Sequence, residues 1–134
     1  MCVGGLRAKL RPVIPGVCKG ELLIVDRYIS FFGEVDPVTG CLKNTTDLCV
    51  GGKVLVFRGS RGSTVAPYIL YALRKNSKAP TCMLVKEVEP MLVAGCVLGE
   101  IPLYVVLNYH EVVEACRNMC AEVEGDELRV HKCT

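Results

Sequence analysis

The 134-residue chain contains no tryptophan, no glutamine and no hydrophobic segment long enough to cross a membrane. Its longest run without a charged residue, residues 62–73, has twelve residues, whereas a membrane-spanning helix needs roughly 18 or more. The N-terminus does not resemble a signal peptide, because Arg7, Lys9 and Arg11 interrupt it before an apolar stretch builds up. We therefore expect a soluble, cytoplasmic protein with no membrane partner.

The chain also lacks an excess of charge of one sign. It has 16 Lys and Arg against 14 Asp and Glu, a net charge of +2, with no basic stripe. Proteins that bind nucleic acid through its phosphates carry such a stripe, so we expect no nucleic-acid partner. Apolar residues make up 51% of the chain, which excludes a disordered protein. The length predicts a single domain over residues 1–134 with its own core.

Nine cysteines are present, but they lack the spacing of a metal site. There is no CxxC motif, and His110 and His131 have no ligand-like neighbours. Cys82 and Cys96 lie inside apolar runs, where a free thiol behaves as a small hydrophobe. The pattern favours buried thiols over a metal site, and the odd count leaves at least one thiol unpaired. Intracellular disulfides are unusual except in hyperthermophiles, so the sequence leaves pairing open.

The hydrophobic pattern predicts a mixed α/β fold. Short β-branched runs bounded by turn residues predict strands at 22–25, 28–32, 53–57, 82–85 and 103–107, and a terminal hairpin at 121–124 and 127–130. Helical spacing predicts helices at about 64–75 and 110–119, while 91–98 fits a helix or a strand. The first of these helices places Val65, Ile69, Ala72 and Leu73 on one face.

The segment that carries chemistry is residues 59–64, with the sequence GSRGST, which we call the serine loop. It lies between a predicted buried strand and a predicted helix. Its glycines allow a sharp turn and close approach to a ligand, and a helix N-terminus attracts phosphate or carboxylate. Arg58 and Arg61 add donors suited to an oxyanion, and Ser63 is a candidate N-cap.

Three interpretations of the serine loop follow from its residues. A Walker phosphate loop requires a lysine before the final Ser or Thr, and Gly62-Ser63 leaves no place for one. In the second interpretation, Ser63 only caps the helix. In the third, the loop binds an anionic substrate and Ser63 is reactive, its alkoxide stabilised by the helix N-terminus and an adjacent arginine. No Ser-His-Asp set supports a hydrolase.

Several separated motifs resemble the small, swivel-domain subunit of the aconitase X family. They are SFFGEVDPVTG at 30–40, GKVLV at 52–56 and GSRGST at 59–64. The dipeptides Ala79-Pro80, Glu89-Pro90 and Ile101-Pro102, each ending in proline, follow in the family's order. The resemblance covers roughly residues 16–130. Three positions depart from the family pattern, in that Glu34 replaces a usual glycine, Phe32 stands where many relatives have Trp or Leu, and Arg58 stands where proline is common. A carboxylate near an anionic substrate is unfavourable, so we expect Glu34 to point to solvent or to a partner.

The resemblance implies a single compact swivelling β/β/α domain that docks onto a larger aconitase X catalytic subunit, as a heterodimer or larger assembly. It implies no cofactor on this chain and a 4Fe-4S cluster on the larger one, whose open iron acts as a Lewis acid on the departing hydroxyl. Ser63 is then the proton acceptor, and Ser60, Arg61, Gly62 and Thr64 bind a small anionic substrate.

The reaction implied by the resemblance is that of a hydro-lyase. It removes water from (R)-5-phosphomevalonate to give trans-anhydromevalonate 5-phosphate, in the archaeal mevalonate route to isoprenoids. Within the same family, the alternative is a dehydratase of cis-3-hydroxyproline that uses the same serine loop. A different class is a non-catalytic module that holds an anion without proton transfer.

Overall fold

The structure is a computed structural model that describes residues 2–62 and 64–133. In these residues strands and helices alternate through the middle of the chain. The strands are β1 (Leu6–Ile14), β2 (Lys19–Ile29), β3 (Cys41–Leu42), β4 (Thr45–Cys49), β5 (Val54–Ser60), β6 (Cys82–Val85), β7 (Leu103–Val106), β8 (Met119–Glu124) and β9 (Glu127–Lys132). The helices are α1 (Phe31–Glu34), α2 (Ala66–Lys75), α3 (Pro90–Leu98) and α4 (Tyr109–Val112).

Seven strands close into a barrel in the order β1-β7-β6-β5-β2-β8-β9, and β3 and β4 form a small separate sheet. Strands β2, β5, β6 and β7 are parallel, whereas β1, β8 and β9 pair antiparallel. Because parallel strands end at the same edge, the ends of β2 and β5 meet there, with Ile29 opposite Ser60. The chain leaves β5 at this edge and enters the serine loop.

The core lies on both faces of the parallel strands. In β5, Leu55 and Phe57 contact the helix side, where Leu70 and Leu73 of α2 pack against them. The alternate residues Val54 and Val56 face the second cluster, which includes Tyr109. Strands buried on both faces have near-continuous apolar sequences, which is why short apolar runs bounded by turn residues predicted β5, β6 and β7. The predicted α/β class is confirmed.

Two predicted elements are wrong at their boundaries. Residues 19–29 form one strand, and the chain then turns into α1 instead of continuing as a strand to residue 32. The reason is tertiary, since Phe31 is buried edge-to-face against Phe57, with ring centroids 5.7 Å apart. The helix predicted at 110–119 stops at Val112, because Ala115 forms a bridge to Val3.

Other elements match their predictions or settle an alternative. The terminal hairpin is present as β8 and β9, whereas β1 was not predicted. Residues 91–98 lie in helix α3 rather than in a strand. Its start is defined by Glu89, whose carboxylate accepts hydrogen bonds from the backbone N–H groups of Met91 and Leu92 at 3.0 and 2.7 Å. Pro90 fits the first turn, where no intrahelical donor is lost.

Eight of the nine cysteines form disulfides. The pairs are Cys2–Cys116, Cys18–Cys82, Cys41–Cys49 and Cys120–Cys133. Only Cys96 is free; it is buried near Met83, and desolvation raises the pKa of its thiol to about 12. The buried-thiol prediction is therefore confirmed for Cys96 and wrong for Cys82. Spacing could not reveal all these pairs, because two of them join cysteines that are 114 and 64 positions apart in the sequence.

Candidate functional site

The serine loop begins where β5 ends at the edge of the barrel. The backbone N–H of Arg61 donates to the carbonyl of Ile29 at 3.0 Å, which ties the start of the loop to the end of β2. Gly62 has φ +90°, in the left-handed region that favours glycine. A Cβ on Gly59 would lie 3.0 Å from the carbonyl oxygen of Glu87. The predicted sharp turn is therefore present at Gly62, and Gly59 lies close to the protein's own backbone at Glu87, while the predicted close approach to a ligand stays a prediction.

Helix α2 begins later than predicted. Its first residue is Ala66, and Val65 occupies the N-cap position without a side-chain capping bond. Ser63, the predicted cap, lies outside the described residues, so its capping role stays a prediction. The buried face consists of Ala66, Pro67, Leu70 and Leu73, so of the predicted apolar face only Leu73 is fully buried.

An open pocket of about 280 Å³ lies beside the loop at this edge of the barrel. It is lined by Asp26, Arg27, Tyr28, Arg58 and Arg61. Of the predicted site residues that the structure describes, Arg61 lines this pocket, whereas Ser60, Gly62 and Thr64 do not. Three arginines and one aspartate give the lining an excess of positive charge, which suits an anionic ligand.

Arg61 is held by an aromatic ring rather than by a carboxylate. Its guanidinium carbon lies 5.2 Å from the centroid of the Tyr28 ring, a cation–π contact. Within residues 2–62 and 64–133, no acidic side chain forms an ion pair with Arg61. Its charge therefore remains for a ligand to neutralise.

Arg58 and a buried tyrosine meet at Asp26. The Nε–H of Arg58 and the hydroxyl of Tyr109 both donate to Oδ1 of Asp26, each at 2.9 Å. The bond from Arg58 holds the pKa of Asp26 below its usual value against the opposing effect of desolvation, and the bond from Tyr109 adds to the lowering. Burial, together with the bond to Asp26, raises the pKa of Tyr109. At neutral pH the site thus contains an ionised Asp26 between a cation and a neutral phenol.

The remaining acidic side chains near the pocket have partners of their own. Glu34 forms an ion pair with Arg27, and its other carboxylate oxygen accepts from the backbone N–H of Ser30 at 2.6 Å. The Glu34 side chain remains 23% exposed while Arg27 neutralises its charge, and its contact with a partner stays a prediction. The Tyr28 hydroxyl donates to Glu87 at 2.7 Å, and this bond raises the pKa of Tyr28.

Sequence reasoning missed Asp26, Tyr28 and Tyr109, and it named Arg58 only as a donor suited to an oxyanion, without its contacts. No local motif joins them, since Asp26 and Tyr109 are 83 positions apart. The sequence feature that could have indicated these residues is their position near the ends of predicted strands. Polar residues at the carboxyl ends of parallel strands lie together at one edge of a sheet.

A larger cavity of about 680 Å³ lies between the start of β2, strand β4 and residues 113–118. No residue of the serine loop lines it, and its polar rim contains the ion pair of Glu21 with Lys53. Because these two charges neutralise each other, the larger cavity lacks the excess of positive charge that the smaller pocket has. We therefore assign the candidate site to the smaller pocket.

Among the described residues there is no group of three His, Cys, Asp or Glu side chains placed to hold a metal ion. A thiolate ligand must be free, yet eight cysteines are bonded to each other and Cys96 is alone and buried. The residues of this chain therefore do not fit an iron–sulfur cluster. In the same part of the chain, no helix has the length and apolarity to span a membrane.

Known proteins match nearly the whole chain. The phosphomevalonate dehydratase small subunit of Aeropyrum pernix is 46% identical over 126 residues, which cover 94% of this chain and 88% of that protein. The protein of the same name from Methanosarcina acetivorans is 41% identical over 126 residues, covering 91% and 88%.

Solved structures agree with these relatives. The crystal structure of Thermococcus kodakaraensis aconitase X in its holo-form has a TM-score of 0.83 at 32% identity, covering 95% of this chain and 99% of that chain. The solution NMR structure of a UPF0107 protein has a TM-score of 0.80 at 33% identity, covering 96% and 100%. The sequence profile of the aconitase X swivel domain matches residues 7–131. With this match and these relatives, the chain belongs to the aconitase X swivel domain family.

Proposed function

We propose that this chain is the small subunit of a phosphomevalonate dehydratase, a hydro-lyase that removes water from 5-phosphomevalonate. The observation that carries the proposal is the arginine-lined pocket beside the serine loop, in a chain 46% identical to a protein of that name. A substrate with a phosphate and a carboxylate matches a site with three arginines and one aspartate.

In this proposal Ser63 accepts the proton bound to carbon, and the loop stabilises the resulting charge. Arg61, two positions before Ser63 in the sequence, and the N-terminus of α2, three positions after it, supply the positive charge that favours an alkoxide. Arg61 also binds the anionic substrate and orients it for proton transfer. The residues of this chain thus perform binding, orientation and proton transfer.

The proposal assigns the iron–sulfur cluster to a large subunit, since the cysteines described above do not fit it. It also places the enzyme in the cytoplasm. Four disulfides are compatible with that location, because intracellular proteins of hyperthermophilic archaea are often rich in disulfides.

The large subunit covers the serine loop in this proposal, and exposed aromatic residues lie on α1 and α2, the helices that follow β2 and the loop in the chain. Phe32 lies on α1, directly after the end of β2, and is 56% exposed. Tyr68 and Tyr71 lie on the outward face of α2 at 67% and 44% exposure. Aromatic side chains are enriched at the centres of protein interfaces. We therefore propose this surface, Phe32 with Tyr68 and Tyr71, as the contact with the large subunit.

Tyr68→Glu should weaken association with the large subunit by at least about tenfold, because it places a charge in the contact surface. Isothermal titration calorimetry of the two purified subunits measures the effect. Val17→Glu is the matched control, since Val17 is 83% exposed and lies before β2 at the opposite end of the parallel strands. Equal affinity of the Tyr68→Glu chain and the wild type for the large subunit would show that Tyr68 lies outside the interface.

The function itself is tested by turnover of the two subunits combined. The chain with its large subunit, prepared without oxygen, should dehydrate 5-phosphomevalonate and leave cis-3-hydroxyproline unchanged, with mass spectrometry detecting the product. Neither subunit should be active alone. Dehydration of hydroxyproline in place of phosphomevalonate would favour the alternative dehydratase, and the absence of both reactions would reject the enzyme.

A further inference from the structure

The sequence predicts that Arg58 has donors suited to an oxyanion, and the structure adds what holds its side chain in place. Arg58 lies at the end of β5, three residues before Arg61, and both line the same pocket. Its Nε–H bond to Asp26 uses one of the five donors of the guanidinium group. A guanidinium is planar, so this single bond on Nε fixes the plane in which the other donors lie.

Asp26 is itself held by a residue from another part of the barrel. Tyr109 is 2% exposed and belongs to α4, which follows β7, yet its hydroxyl reaches Oδ1 of Asp26. A buried phenol requires a hydrogen-bond partner, so the two residues fix one another. The hydrogen bonds therefore connect Tyr109 through Asp26 to the orientation of Arg58.

The charges around Arg58 define the chemistry of a ligand. Asp26 pairs with Arg58 and Glu34 pairs with Arg27, whereas Arg61 contacts the Tyr28 ring. A small oxyanion beside Arg58 and Arg61 would supply the missing negative charge and accept charge-assisted hydrogen bonds. Phosphate and carboxylate share this chemistry, and the proposed substrate has both.

We infer that Arg58 binds an oxyanion of the substrate together with Arg61, and that Asp26 and Tyr109 are positioning residues that orient the Arg58 guanidinium. This inference rests on the proposed function for the identity of the substrate. It does not depend on that function for the binding of an oxyanion in the pocket.

Steady-state kinetics of the reconstituted enzyme tests the inference. Arg58→Gln should raise KM about 10- to 100-fold, the effect of one lost charge-assisted bond, with little change in kcat. Arg58→Lys should restore part of the affinity, because lysine keeps the positive charge but lacks the planar set of donors of a guanidinium group. Tyr109→Phe and Asp26→Asn should raise KM by smaller factors at unchanged kcat, a split that loss of folded protein does not produce. Arg7→Gln, on exposed β1, is the matched control for the change in charge.

Two competitive inhibitors identify which oxyanion Arg58 binds. If Arg58 binds the phosphate, Arg58→Gln raises the inhibition constant of inorganic phosphate and leaves that of mevalonate unchanged. If it binds the carboxylate, the result is reversed. Either rise supports the inference, and unchanged KM and inhibition constants in the Arg58→Gln enzyme overturn it.

A titration without turnover separates this inference from the proposed function. Inorganic phosphate, and mevalonate in a second series, are added to the chain alone while the arginine Nε–Hε signals are followed by NMR. Saturable shifts of the Arg58 and Arg61 signals in the wild type, with the Arg61 shift lost in Arg58→Gln, support the pocket even if the combined subunits dehydrate nothing. If turnover is absent and neither ligand produces a saturable shift, both proposals are overturned.

Discussion

Ser63→Ala should lower kcat by about 10²–10⁴-fold, the typical contribution of a general base. The loop has no carboxylate or imidazole to act as a second base, and the hydroxyls of Ser60 and Thr64 do not line the pocket. Substrate affinity should fall far less, because Arg61 remains. Steady-state kinetics of the reconstituted enzyme measures both quantities.

Stability provides the internal control for this variant. The free energy of unfolding of Ser63→Ala is measured alongside its turnover, because removal of a capping serine typically costs about 1 kcal/mol and by itself leaves the folded enzyme active. Ser77→Ala, at the other end of α2, is the matched serine control and should keep wild-type turnover. A folded Ser63→Ala enzyme with near-normal kcat would show that Ser63 is not the proton acceptor.

Removing the Cys18–Cys82 disulfide with two alanine substitutions should lower the free energy of unfolding by about 4 kcal/mol. The bond closes a loop with a sequence separation of 64, so its loss increases the entropy of the unfolded chain. Both residues are buried, and alanine avoids placing an unpaired hydroxyl in the core. Guanidinium unfolding measures the change in free energy. Thermal unfolding should show a fall in melting temperature on the order of 15 °C.

The matched control is the Cys41–Cys49 pair, whose sequence separation is only 8. The same two-alanine change there should cost about 2.5 kcal/mol. Before these measurements, thiol titration of the unfolded wild type without reductant should find one free thiol per chain, Cys96. Detection of several free thiols, or equal stability of the Cys18→Ala, Cys82→Ala variant and wild type, would contradict the role of this disulfide.

The sequence by itself predicted the central strands and the location of the serine loop. Strands buried on both faces require continuous apolar residues, and 53–57, 82–85 and 103–107 show this locally. The order of the separated motifs was enough to indicate the aconitase X family. The glycine at position 62 was interpretable because its turn depends on its own backbone conformation.

Tertiary contacts decided the other features. The four disulfides depend on which elements lie side by side, as Cys2 and Cys116 do although 114 positions separate them. The turn into α1 depends on the burial of Phe31 against Phe57, which overrides the local strand pattern.

In the candidate site, too, some residues could be predicted from local sequence and others only from the tertiary structure. Arg61 was predicted because it lies within the loop motif, whereas the contacts of Asp26 with Arg58 and Tyr109 join residues 32 and 83 positions apart. Local patterns report the conformational preference of a short segment. Hydrogen bonds between distant residues arise only when closure of the barrel brings the ends of β2, β5 and β7 to one edge.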